Sequence, residues 1–492
     1  MVGYGLSGRA AARYLQAQGW DVVVVEDRPA AGQKEALRAQ GLRAELAPSP
    51  RRVQALVAEA DLVVPSPGVP VGHPAVVAAQ RQAKGLWGEI ELAWEALAAR
   101  RAAQARRAGS AFGPGYGGPR AAGPQATGPQ AAVAWEAGGW PRLVAITGTN
   151  GKTTVTKLVT SMLVSSGRSA VAAGNVGLPL LEAVQALELG PEATVVAEVS
   201  SFQLHYTRRF RPDVSAWLNF APDHLDWHPD LGHYERAKAR VWANQGPGDV
   251  AVFNADDPVV ARQAAAVPPG AGRVSFGRGP ADWRVADDGV EGPDGTRLEA
   301  SELPRGLPHD LENTAAALAI ALASGASREG SLEAARRTAP PPHRVEEVGH
   351  WGGVSWYDDS KATSPAAVLA GVRGFASVVL VAGGRNKGLD LSALSGAVPP
   401  VRAVVAIGEA APELSRVFRG RVPVREAASM RAAVDAAAEL ARPGDAVVLS
   451  PGCASFDWYS SYQERGSDFA ALVKQKLGAS RAGPAAQEGQ AS

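Results

Sequence analysis

The sequence predicts an α/β protein with three domains that are built on mainly parallel sheets. Several short apolar, β-branched runs end in glycine, serine, asparagine or acidic residues, as buried strands often do where a sheet binds its ligand. Helical patterns follow several of these runs, which is typical of βαβ units. The length of 492 residues is sufficient for roughly three domains.

The composition argues against several classes of protein. A net charge of +1 does not suit nucleic-acid binding, which usually requires a strongly basic surface. The one cysteine, Cys453, allows neither a disulfide framework nor a cysteine-based metal site, and this is consistent with a reducing cytoplasm. No apolar run approaches the roughly 20 residues of a membrane span, and no signal peptide opens the chain. We therefore expect a cytoplasmic monomer without membrane insertion or a nucleic-acid partner.

A glycine-rich loop between a predicted strand and a predicted helix is the most informative motif. Residues 143–154 read L-V-A-I-T-G-T-N-G-K-T-T, and the helical pattern continues from Val155. Glycines let backbone N–H groups approach a polyphosphate, a lysine meets the β- and γ-phosphates, and a threonine hydroxyl binds Mg²⁺. The loop is shorter than the usual phosphate loop, because Ile146 stands where its first glycine would be. We favour ATP binding over an ordinary strand-to-helix turn, with these candidate residues: Gly148, Thr149, Asn150, Gly151, Lys152, Thr153 and Thr154.

A second glycine turn opens the chain. Residues 3–8 read G-Y-G-L-S-G and precede a helical run and a strand that ends in Glu26 and Asp27. In Rossmann-like domains with this pattern, the later carboxylate binds a ribose hydroxyl. The pattern alone does not decide between a nicotinamide cofactor, another nucleotide and a turn that serves only packing. Only Met1 and Val2 precede the turn, although the first strand of such a sheet lies centrally. Our hypothesis is that the start is placed several codons late or that the strand is a stub.

Composition shifts predict where the domains end. The helical pattern from Ile90 to Arg107 is followed by residues 109–139, which are rich in Gly, Pro, Ala and Gln and have no periodicity. We interpret this stretch as a flexible linker-like insertion. The predicted divisions are a first domain (1–98), an insertion (99–139), a central domain (140–341), a C-terminal domain (342–479) and a disordered tail (480–492).

The central domain carries candidate metal ligands at the ends of two predicted strands. Glu198 ends a buried strand, and we favour a Mg²⁺-binding or water-orienting role over a structural one. The next strand is followed by D-H-L-D-W-H at 223–228, which suggests Mg²⁺ because no cysteines accompany it. We expect His228, beyond this cluster, at the surface. The sequence alone gives no reason to assign a function to Lys238.

A third set of motifs follows the proline-marked boundary near residue 341. The stretch D-D-S-K-A-T at 358–363 follows one predicted strand, G-G-R-N-K-G at 383–388 follows a second, and S-P-G-C-A-S-F-D at 450–457 follows a third. Because carboxyl ends of parallel strands meet at one edge, we expect these three stretches to line one edge of a sheet.

Together these motifs resemble the Mur ligase family, most closely its D-glutamate-adding members. The phosphate loop is shared across that family and with folylpolyglutamate synthases, whereas S-S-F-Q-L at 200–204 and the stretches at 358–363 and 450–457 are more specific. Arg465-Gly466 also matches, and the D-N-P-R stretch of the diaminopimelate-adding relatives is absent. The resemblance covers the chain except residues 109–139 and the tail.

The resemblance implies an α/β fold of three domains: a Rossmann-like UDP-binding domain, a P-loop-type ATPase domain and a Rossmann-like C-terminal domain. It implies ATP-dependent addition of D-glutamate to UDP-N-acetylmuramoyl-L-alanine through an acyl phosphate, in peptidoglycan precursor synthesis. The implied cofactor is Mg²⁺, with two ions, one of them held by a carbamylated Lys238.

The resemblance also implies roles for individual residues. Its catalytic residues are Lys152, Glu198, His224 and Lys238, and its metal ligands are Thr153, Glu198, His224 and carbamylated Lys238. The ATP-binding residues beyond the loop are Asn313, Arg344, Asp359 and Lys361. The D-glutamate site is Thr363, Lys387, Ser455 and Tyr462, and the UDP-sugar site is Leu6, Ser7, Glu26, Asp27, Ser66, Gly68 and Asn175. Departures from the family pattern are Tyr462 for a usual phenylalanine, Asp310 for an expected asparagine, and Arg385-Asn386 for a more usual acidic step.

Three alternatives remain at this point. A sibling Mur ligase or a folylpolyglutamate synthase shares the phosphate loop. A catalytically silent, nucleotide-gated regulatory protein would keep the fold, but the presence of Lys152, Glu198, His224 and Lys238 argues against it. A nicotinamide-dependent dehydrogenase would explain the first glycine turn and leave the phosphate loop without a role.

Overall fold

The computed structural model describes residues 1–107, 141–186 and 193–481. Most of the predicted insertion and the tail beyond residue 481 therefore lie outside the described residues. The chain forms two compact units, which are described separately: the first comprises Met1–Phe220, Trp227–Pro304 and Leu311–Thr338, and the second comprises Ala221–Asp226, Arg305–Asp310 and the chain from Ala339. In the described part of the chain, no helix has the length and apolar character that crossing a membrane requires.

The first unit opens with alternating helices and short parallel strands. Strand β1 pairs with β2 and β3 pairs with β4, while Val2 forms isolated parallel bridges to both Val25 and Pro65. Val2 thus lies in the strand position between β1 and β3, where we expected the central first strand. A cavity of about 610 Å³ lies beside Met1 and is lined by side chains that include Val57 and Leu62. The elements are α1 (Leu6–Ala17), β1 (Val23–Glu26), α2 (Gln33–Ala39), β2 (Arg43–Leu46), α3 (Pro50–Glu59), β3 (Leu62–Val63), α4 (Pro74–Arg81), β4 (Gly85–Leu86) and α5 (Glu89–Arg107).

A larger sheet follows in the same unit. Its strand order is β13-β12-β11-β10-β9-β8-β5-β7-β6, parallel from β11 to β6 and antiparallel at β12 and β13. The elements are β5 (Arg142–Thr147), α6 (Lys152–Ser165), β6 (Ala170–Gly174), α7 (Leu180–Ala186), β7 (Thr194–Glu198), α8 (Ser201–His205), β8 (Val214–Trp217), α9 (Leu231–Ala239), β9 (Val250–Asn254), α10 (Pro258–Ala264), β10 (Gly272–Gly277), β11 (Trp283–Val285), β12 (Gly289–Glu291), β13 (Arg297–Glu299), α11 (Pro308–Ala323) and α12 (Arg328–Arg337), with 3₁₀ turns at Pro293–Gly295 and Ala300–Glu302. The central strands β7 and β8 are buried at every position, as their continuous apolar pattern predicts.

The second unit contains the third sheet. Its strand order is β14-β15-β19-β16-β17-β18, and all pairs are parallel except β14 with β15. The elements are β14 (Glu346–Trp351), β15 (Val354–Asp358), α13 (Pro365–Val372), β16 (Val378–Gly383), a 3₁₀ stretch (Leu391–Ala397), β17 (Val401–Ile407), α14 (Ala411–Phe418), β18 (Val424–Ala427), α15 (Met430–Leu440), β19 (Ala446–Leu449) and α16 (Tyr462–Arg481). Because β15, β19 and β16 are parallel neighbours, the three stretches that follow them lie along one sheet edge, which confirms that prediction.

Helix α5 crosses one predicted boundary. It continues to Arg107, as the helical pattern predicts, and so passes residue 99, where we placed the start of the insertion. Apolar residues of α5 share a core with both flanking segments, including Ala11, Leu97 and Leu143. This continuous core explains why the N-terminal segment and the central sheet form one compact unit. Glu89 reinforces the contact, since its Oε1 accepts a hydrogen bond from Leu181 N at 2.6 Å.

Replacing Glu89 by glutamine should remove a pH-dependent loss of stability. Burial raises the pKa of Glu89 from its ordinary value of 4.5 to about 7, although the hydrogen bond from Leu181 opposes this. As the pH rises from about 4.5 to about 7, the carboxyl group releases its proton first in the unfolded chain. The folded state therefore loses stability until the group is ionised in both states. Since each pKa unit is worth about 1.4 kcal/mol, the loss amounts to roughly 3 kcal/mol.

Thermal melting on both sides of this window measures the effect. We expect the wild type to lose more stability than Glu89→Gln between about pH 5 and pH 8.5. Glu59→Gln is the control, because Glu59 is exposed on α3. Equal losses in the wild type and Glu89→Gln would contradict the assignment.

Candidate active site

The glycine-rich loop joins β5 to α6 in the first unit. Gly151 is the N-cap of α6 in a left-handed conformation, with φ of 82°, and a Cβ there would lie 2.5 Å from Oδ1 of Asn313. The glycine is therefore required both by its backbone conformation and by the close approach of Asn313. Lys152 opens the helix, and its Nζ donates hydrogen bonds to Gly148 O at 2.9 Å and Thr149 O at 3.0 Å. The ammonium group thus lies over its own loop.

Asn219, two residues after β8, holds the same loop from the side. Its backbone O accepts from Thr149 N at 3.0 Å, and its Oδ1 accepts from Asn150 N at 2.8 Å. Its Nδ2 donates to Asn150 O at 3.2 Å. From the sequence we gave this residue no role. A polar amide two residues after a buried strand was the available signal.

Glu198 ends β7, the parallel neighbour of β5, and is only 2% exposed. Its Oε2 accepts from Thr153 Oγ1 at 2.8 Å and its Oε1 accepts from Asn175 Nδ2 at 3.0 Å. Gly174 makes this approach possible, because a Cβ there would lie 2.2 Å from Glu198 O. Asn175, which we expected at the UDP-sugar site, is thus placed beside Glu198. A carboxylate with a neighbouring hydroxyl offers the hard oxygen ligands that Mg²⁺ prefers.

Lys238, on α9, also reaches the glycine-rich loop. It is 1% exposed, and its Nζ donates to Gly148 O at 2.8 Å and Thr147 Oγ1 at 3.4 Å. Gly148 O therefore contacts the amino groups of both Lys238 and Lys152. Tyr234, one turn earlier, lies with its ring centroid 4.8 Å from Lys238 Nζ and its hydroxyl 3.2 Å from Thr149 Oγ1. Tyr234 carries no signal in the sequence, since only the tertiary fold brings α9 to this loop.

His228 is not at the surface, as we had predicted, but fully buried. Its Nε2 lies 2.9 Å from Ser201 Oγ and its Nδ1 lies 2.7 Å from His233 Nδ1. The ring packs beside Trp227, with the ring centroids 4.6 Å apart. Burial lowers the pKa of the neighbouring His205 to about 4 and also lowers the pKa of His233. This cluster ties α8, which follows Glu198, to the start of α9.

The first glycine turn gathers most of the predicted UDP-sugar residues. Glu26 accepts from Tyr4 N at 2.9 Å, and Ser66 Oγ donates to Gly3 O at 2.9 Å. Asp27 lies 2.9 Å from His73 Nε2, which places α4 against the same turn. The turn is tight, since a Cβ at Gly8 would lie 2.3 Å from Gly3 O. Leu6 and Ser7 open α1, where the Leu6 side chain is exposed and Ser7 is partly exposed. Gly68 lies in the turn that follows β3.

Two predicted site residues, His224 and Arg344, belong to the second unit. His224 has φ of 56°, and its backbone N donates to Asp223 Oδ1 at 2.8 Å. Arg344 is preceded and followed by residues in the left-handed region, His343 and Val345. Its backbone O accepts from Arg305 NH1.

Asp310, one of the departures from the family pattern, supports this segment. Arg305 forms a bidentate pair with Asp310, with distances of 2.6 and 2.7 Å, and also donates to Val345 O at 2.7 Å. The carboxylate at position 310 therefore anchors the arginine that holds the backbone around Arg344.

The remaining candidates follow the three parallel strands of the third sheet. Asp359 accepts from Ser450 Oγ at 2.7 Å, and burial raises the pKa of Asp359 to about 7. Lys361 Nζ lies 3.9 Å from the ring centroid of Tyr462. Thr363 and Lys387 are half-buried and Ser455 is buried, on the loops that follow β15, β16 and β19.

Arg385, another departure, joins two of these loops. Its side chain forms a bidentate pair with Glu409, at 3.0 and 2.7 Å. Its backbone exchanges two hydrogen bonds with Ala454, of 2.9 and 3.0 Å. The loop that carries Lys387 is thereby fixed against the loop that carries Ser455.

Family models match three stretches of the chain. They are described as the Mur ligase MurD-like N-terminal domain (residues 1–88), the Mur ligase middle domain (146–321) and the Mur ligase glutamate ligase domain (343–453). A UDP-N-acetylmuramoylalanine–D-glutamate ligase from Frankia casuarinae is 39% identical over 495 residues, covering 97% of this chain and 94% of that protein. The enzyme of the same name from Shouchella clausii is 36% identical over 480 residues and covers 95% of each chain.

Solved structures share the fold at low identity. A pseudomurein peptide ligase type C from Methanothermus fervidus has a TM-score of 0.55 at 15% identity, covering 96% of this chain and 98% of that one. A UDP-N-acetylmuramate–alanine ligase from Thermotoga maritima has a TM-score of 0.51 at 18% identity, with the same two coverages of 96% and 98%. These likenesses extend over nearly all of both chains and agree with the predicted α/β architecture of three domains.

Proposed function

Because this chain belongs to the Mur ligase family, we propose that it joins D-glutamate to UDP-N-acetylmuramoyl-L-alanine at the expense of ATP. The full-length similarity to D-glutamate ligases, at 39% and 36% identity, supports this choice of substrates. The observation that carries the proposal is the glycine-rich loop, where Lys152, the Thr153–Glu198 pair and Lys238 converge. In this proposal the reaction supplies a peptidoglycan precursor in the cytoplasm, which suits a chain with one cysteine.

The proposed reaction has two steps. A carboxylate oxygen of the alanyl group attacks the γ-phosphorus of ATP, the bond to the bridging oxygen breaks, and ADP leaves. The amine of D-glutamate then attacks the carbonyl carbon of the acyl phosphate, loses a proton, and the tetrahedral intermediate expels phosphate to leave an amide. The loop N–H groups and Lys152 stabilise negative charge on the transferred phosphoryl group. Lys152 can do so by moving from the carbonyls of Gly148 and Thr149 onto the phosphate oxygens.

The chain also offers a suitable set of ligands for Mg²⁺. The Thr153 hydroxyl and the Glu198 carboxylate are hard oxygen donors 2.8 Å apart at the start of α6. We assign these two residues to one ion, and His224 and carbamylated Lys238 to a second. Bound Mg²⁺ neutralises part of the phosphate charge. Carbamylation adds CO₂ to the neutral amine of Lys238, with loss of a proton, and turns a buried amine into a carboxylate-like ligand.

We assign the remaining candidates to the three substrates. Asn313, which contacts the turn at Gly151, binds ATP together with Arg344, Asp359 and Lys361. The residues around the first glycine turn bind the UDP-sugar: Leu6, Ser7, Glu26, Asp27, Ser66 and Gly68, with Asn175 beside Glu198. Thr363, Lys387, Ser455 and Tyr462 bind D-glutamate.

Phosphate release from ATP tests the proposed function directly. The purified protein is incubated with ATP, Mg²⁺ and UDP-N-acetylmuramoyl-L-alanine, and D-glutamate is compared with L-glutamate, meso-diaminopimelate and L-lysine. We expect release only with D-glutamate, together with a product whose mass shows one added glutamyl group. Release with a different amino acid would keep the ligase chemistry and refute the proposed substrate. Oxidation of NADH without phosphate release would favour the dehydrogenase alternative.

The proposed carbamylation predicts chemical rescue of Lys238→Ala. We expect the variant to lose about 100-fold or more in kcat, because a charged ligand of the phosphoryl-transfer site is gone. Added formate or acetate should recover part of the rate, since a free carboxylate can take the place of the carbamate. Lys157→Ala, on the exposed side of α6, is the control and should respond to neither change. Wild-type activity in Lys238→Ala would contradict the assignment.

A further inference from the structure

Arg465 is a buried guanidinium that contacts only neutral groups. It lies in the first turn of α16 and is 1% exposed. Its Nε donates to Ser360 Oγ at 2.9 Å, its NH2 donates to Ser360 O at 2.9 Å, and both terminal nitrogens donate to Cys453 O at 3.2 Å. In the described part of the chain it forms no ion pair. Burying a cation without an ion pair lowers the free energy of unfolding. Such a residue is therefore a candidate for a functional role.

The groups around Arg465 belong to the loops that carry the proposed D-glutamate site. Ser360 directly precedes Lys361, and Cys453 lies two residues before Ser455. A Cβ at Gly384, on the loop that carries Lys387, would lie 3.1 Å from Arg465 NH1 and 2.3 Å from Ala454 O. One guanidinium therefore hydrogen-bonds the loops that follow β15 and β19 and lies beside the loop that follows β16.

The helix that carries Arg465 is joined to the same loops. Tyr462, the first residue of α16, accepts a hydrogen bond through its backbone O from Ser360 Oγ at 2.8 Å. Ser360 Oγ thus donates to Tyr462, a proposed D-glutamate residue, and accepts from Arg465. A shift of the guanidinium would move the backbone at several of these positions together.

Nearby carboxylates are occupied by other partners and do not neutralise Arg465 by contact. Asp358 pairs with His343 Nδ1 at 2.6 Å and accepts from Ser360 N at 2.9 Å. Asp457 accepts from Glu409 N at 3.0 Å. Burial lowers the pKa of Arg465 to about 10, so the guanidinium still carries its charge at neutral pH. Its positive potential extends through a poorly screened interior toward the loops around it.

We propose that Arg465 is a positioning and specificity-determining residue for the amino-acid substrate. It fixes the three loops in one geometry, and its charge favours an amino acid with an acidic side chain. The inference rests on the proposed function, because it assumes that the loops after β15, β16 and β19 bind D-glutamate.

The test compares Arg465→Lys with Arg465→Gln in steady-state kinetics with each substrate varied in turn. Arg465→Gln should raise KM for D-glutamate on the order of tenfold or more and KM for ATP by a smaller factor, because Ser360 lies between the proposed ATP residues Asp359 and Lys361. The KM for the UDP-sugar should change little. Arg465→Lys keeps the charge and should retain a lower KM for D-glutamate than Arg465→Gln. Lys474→Gln, which removes an exposed charge from the same helix, should leave all three values unchanged.

The outcomes separate this inference from the proposed function. An unchanged KM for D-glutamate in Arg465→Gln, or an equal rise for all three substrates, would overturn it. Equal effects of Arg465→Lys and Arg465→Gln would overturn the role of the charge. If neither variant folds, as judged by circular dichroism, Ser360→Ala decides: a selective rise in KM for D-glutamate supports the inference, and no rise refutes it. A wild type that uses a different amino acid would instead refute the proposed function.

Discussion

Replacing Lys152 by alanine should lower kcat for ATP-dependent phosphate release by about 100- to 1,000-fold. The ammonium group lies at the glycine-rich loop, which we propose to bind the phosphates, within hydrogen-bonding distance of Gly148 O and Thr149 O. Charge on the transferred phosphoryl group is stabilised by such positioned cations, and loss of one donor of this kind costs about 3–4 kcal/mol. Alanine cannot supply that charge, so turnover should nearly stop.

Lys157→Ala is the matched control for this experiment. Lys157 is an exposed lysine on the same helix, so its removal changes the net charge and helix composition equally. Melting of both variants shows whether the loop hydrogen bonds of Lys152 contribute to stability. We expect the control to keep wild-type activity. If folded Lys152→Ala kept more than about a tenth of the wild-type rate, Lys152 would not contact the phosphates.

The part of the site that could be predicted from sequence is the part that is contiguous. Gly151, Lys152 and Thr153 are neighbours, and the function that we propose for them follows from the local geometry of a strand-to-helix turn. The strand ends at Glu198 and Asp359 could also be found, because an acid directly after an apolar run marks a sheet edge. The α/β class followed from the same pattern.

The missed residues act over long distances in sequence. Asn219 holds a loop almost 70 residues earlier, Tyr234 contacts Thr149 across 85 residues, and Arg465 reaches Ser360 across 105. No local pattern distinguishes Tyr234 from an ordinary polar side chain. Asn219 follows a buried strand and Arg465-Gly466 fits the family pattern, but neither signal indicated which residues the side chain contacts. The error at His228 has the same origin, since its burial depends on Ser201 and on the aromatic ring of Trp227.

The predicted boundary at residue 99 lies inside a helix. We placed it by composition, yet the helical pattern continues without a break to Arg107, and composition alone cannot show where a helix leaves a domain. The shared core of Ala11, Leu97 and Leu143 shows that α5 packs with segments on either side of it. Such packing joins segments that are far apart in the chain, so a local sequence pattern does not predict it.

Replacing Glu198 by glutamine should lower kcat by about 100- to 1,000-fold and raise the Mg²⁺ concentration needed for half-maximal activity. Glutamine has nearly the same shape and keeps one oxygen to accept from Thr153 or Asn175, but it lacks the negative charge that binds a divalent cation. The rate should therefore recover in part at high Mg²⁺. Lys152→Ala should show no such recovery, because it removes a cation and not a metal ligand.

Stability separates a metal-binding role from a structural one at Glu198. Its two partners, Thr153 and Asn175, are neutral, so glutamine breaks no ion pair and the melting temperature should change by only a few degrees. Glu329→Gln, an exposed site on α12, is the control for the loss of one negative charge. A large fall in melting temperature with an unchanged Mg²⁺ requirement would make Glu198 a structural acid. A large loss of rate with a preserved melting temperature and an increased Mg²⁺ requirement would identify the buried carboxylate as a metal ligand, because glutamine keeps the shape of the side chain and removes its charge.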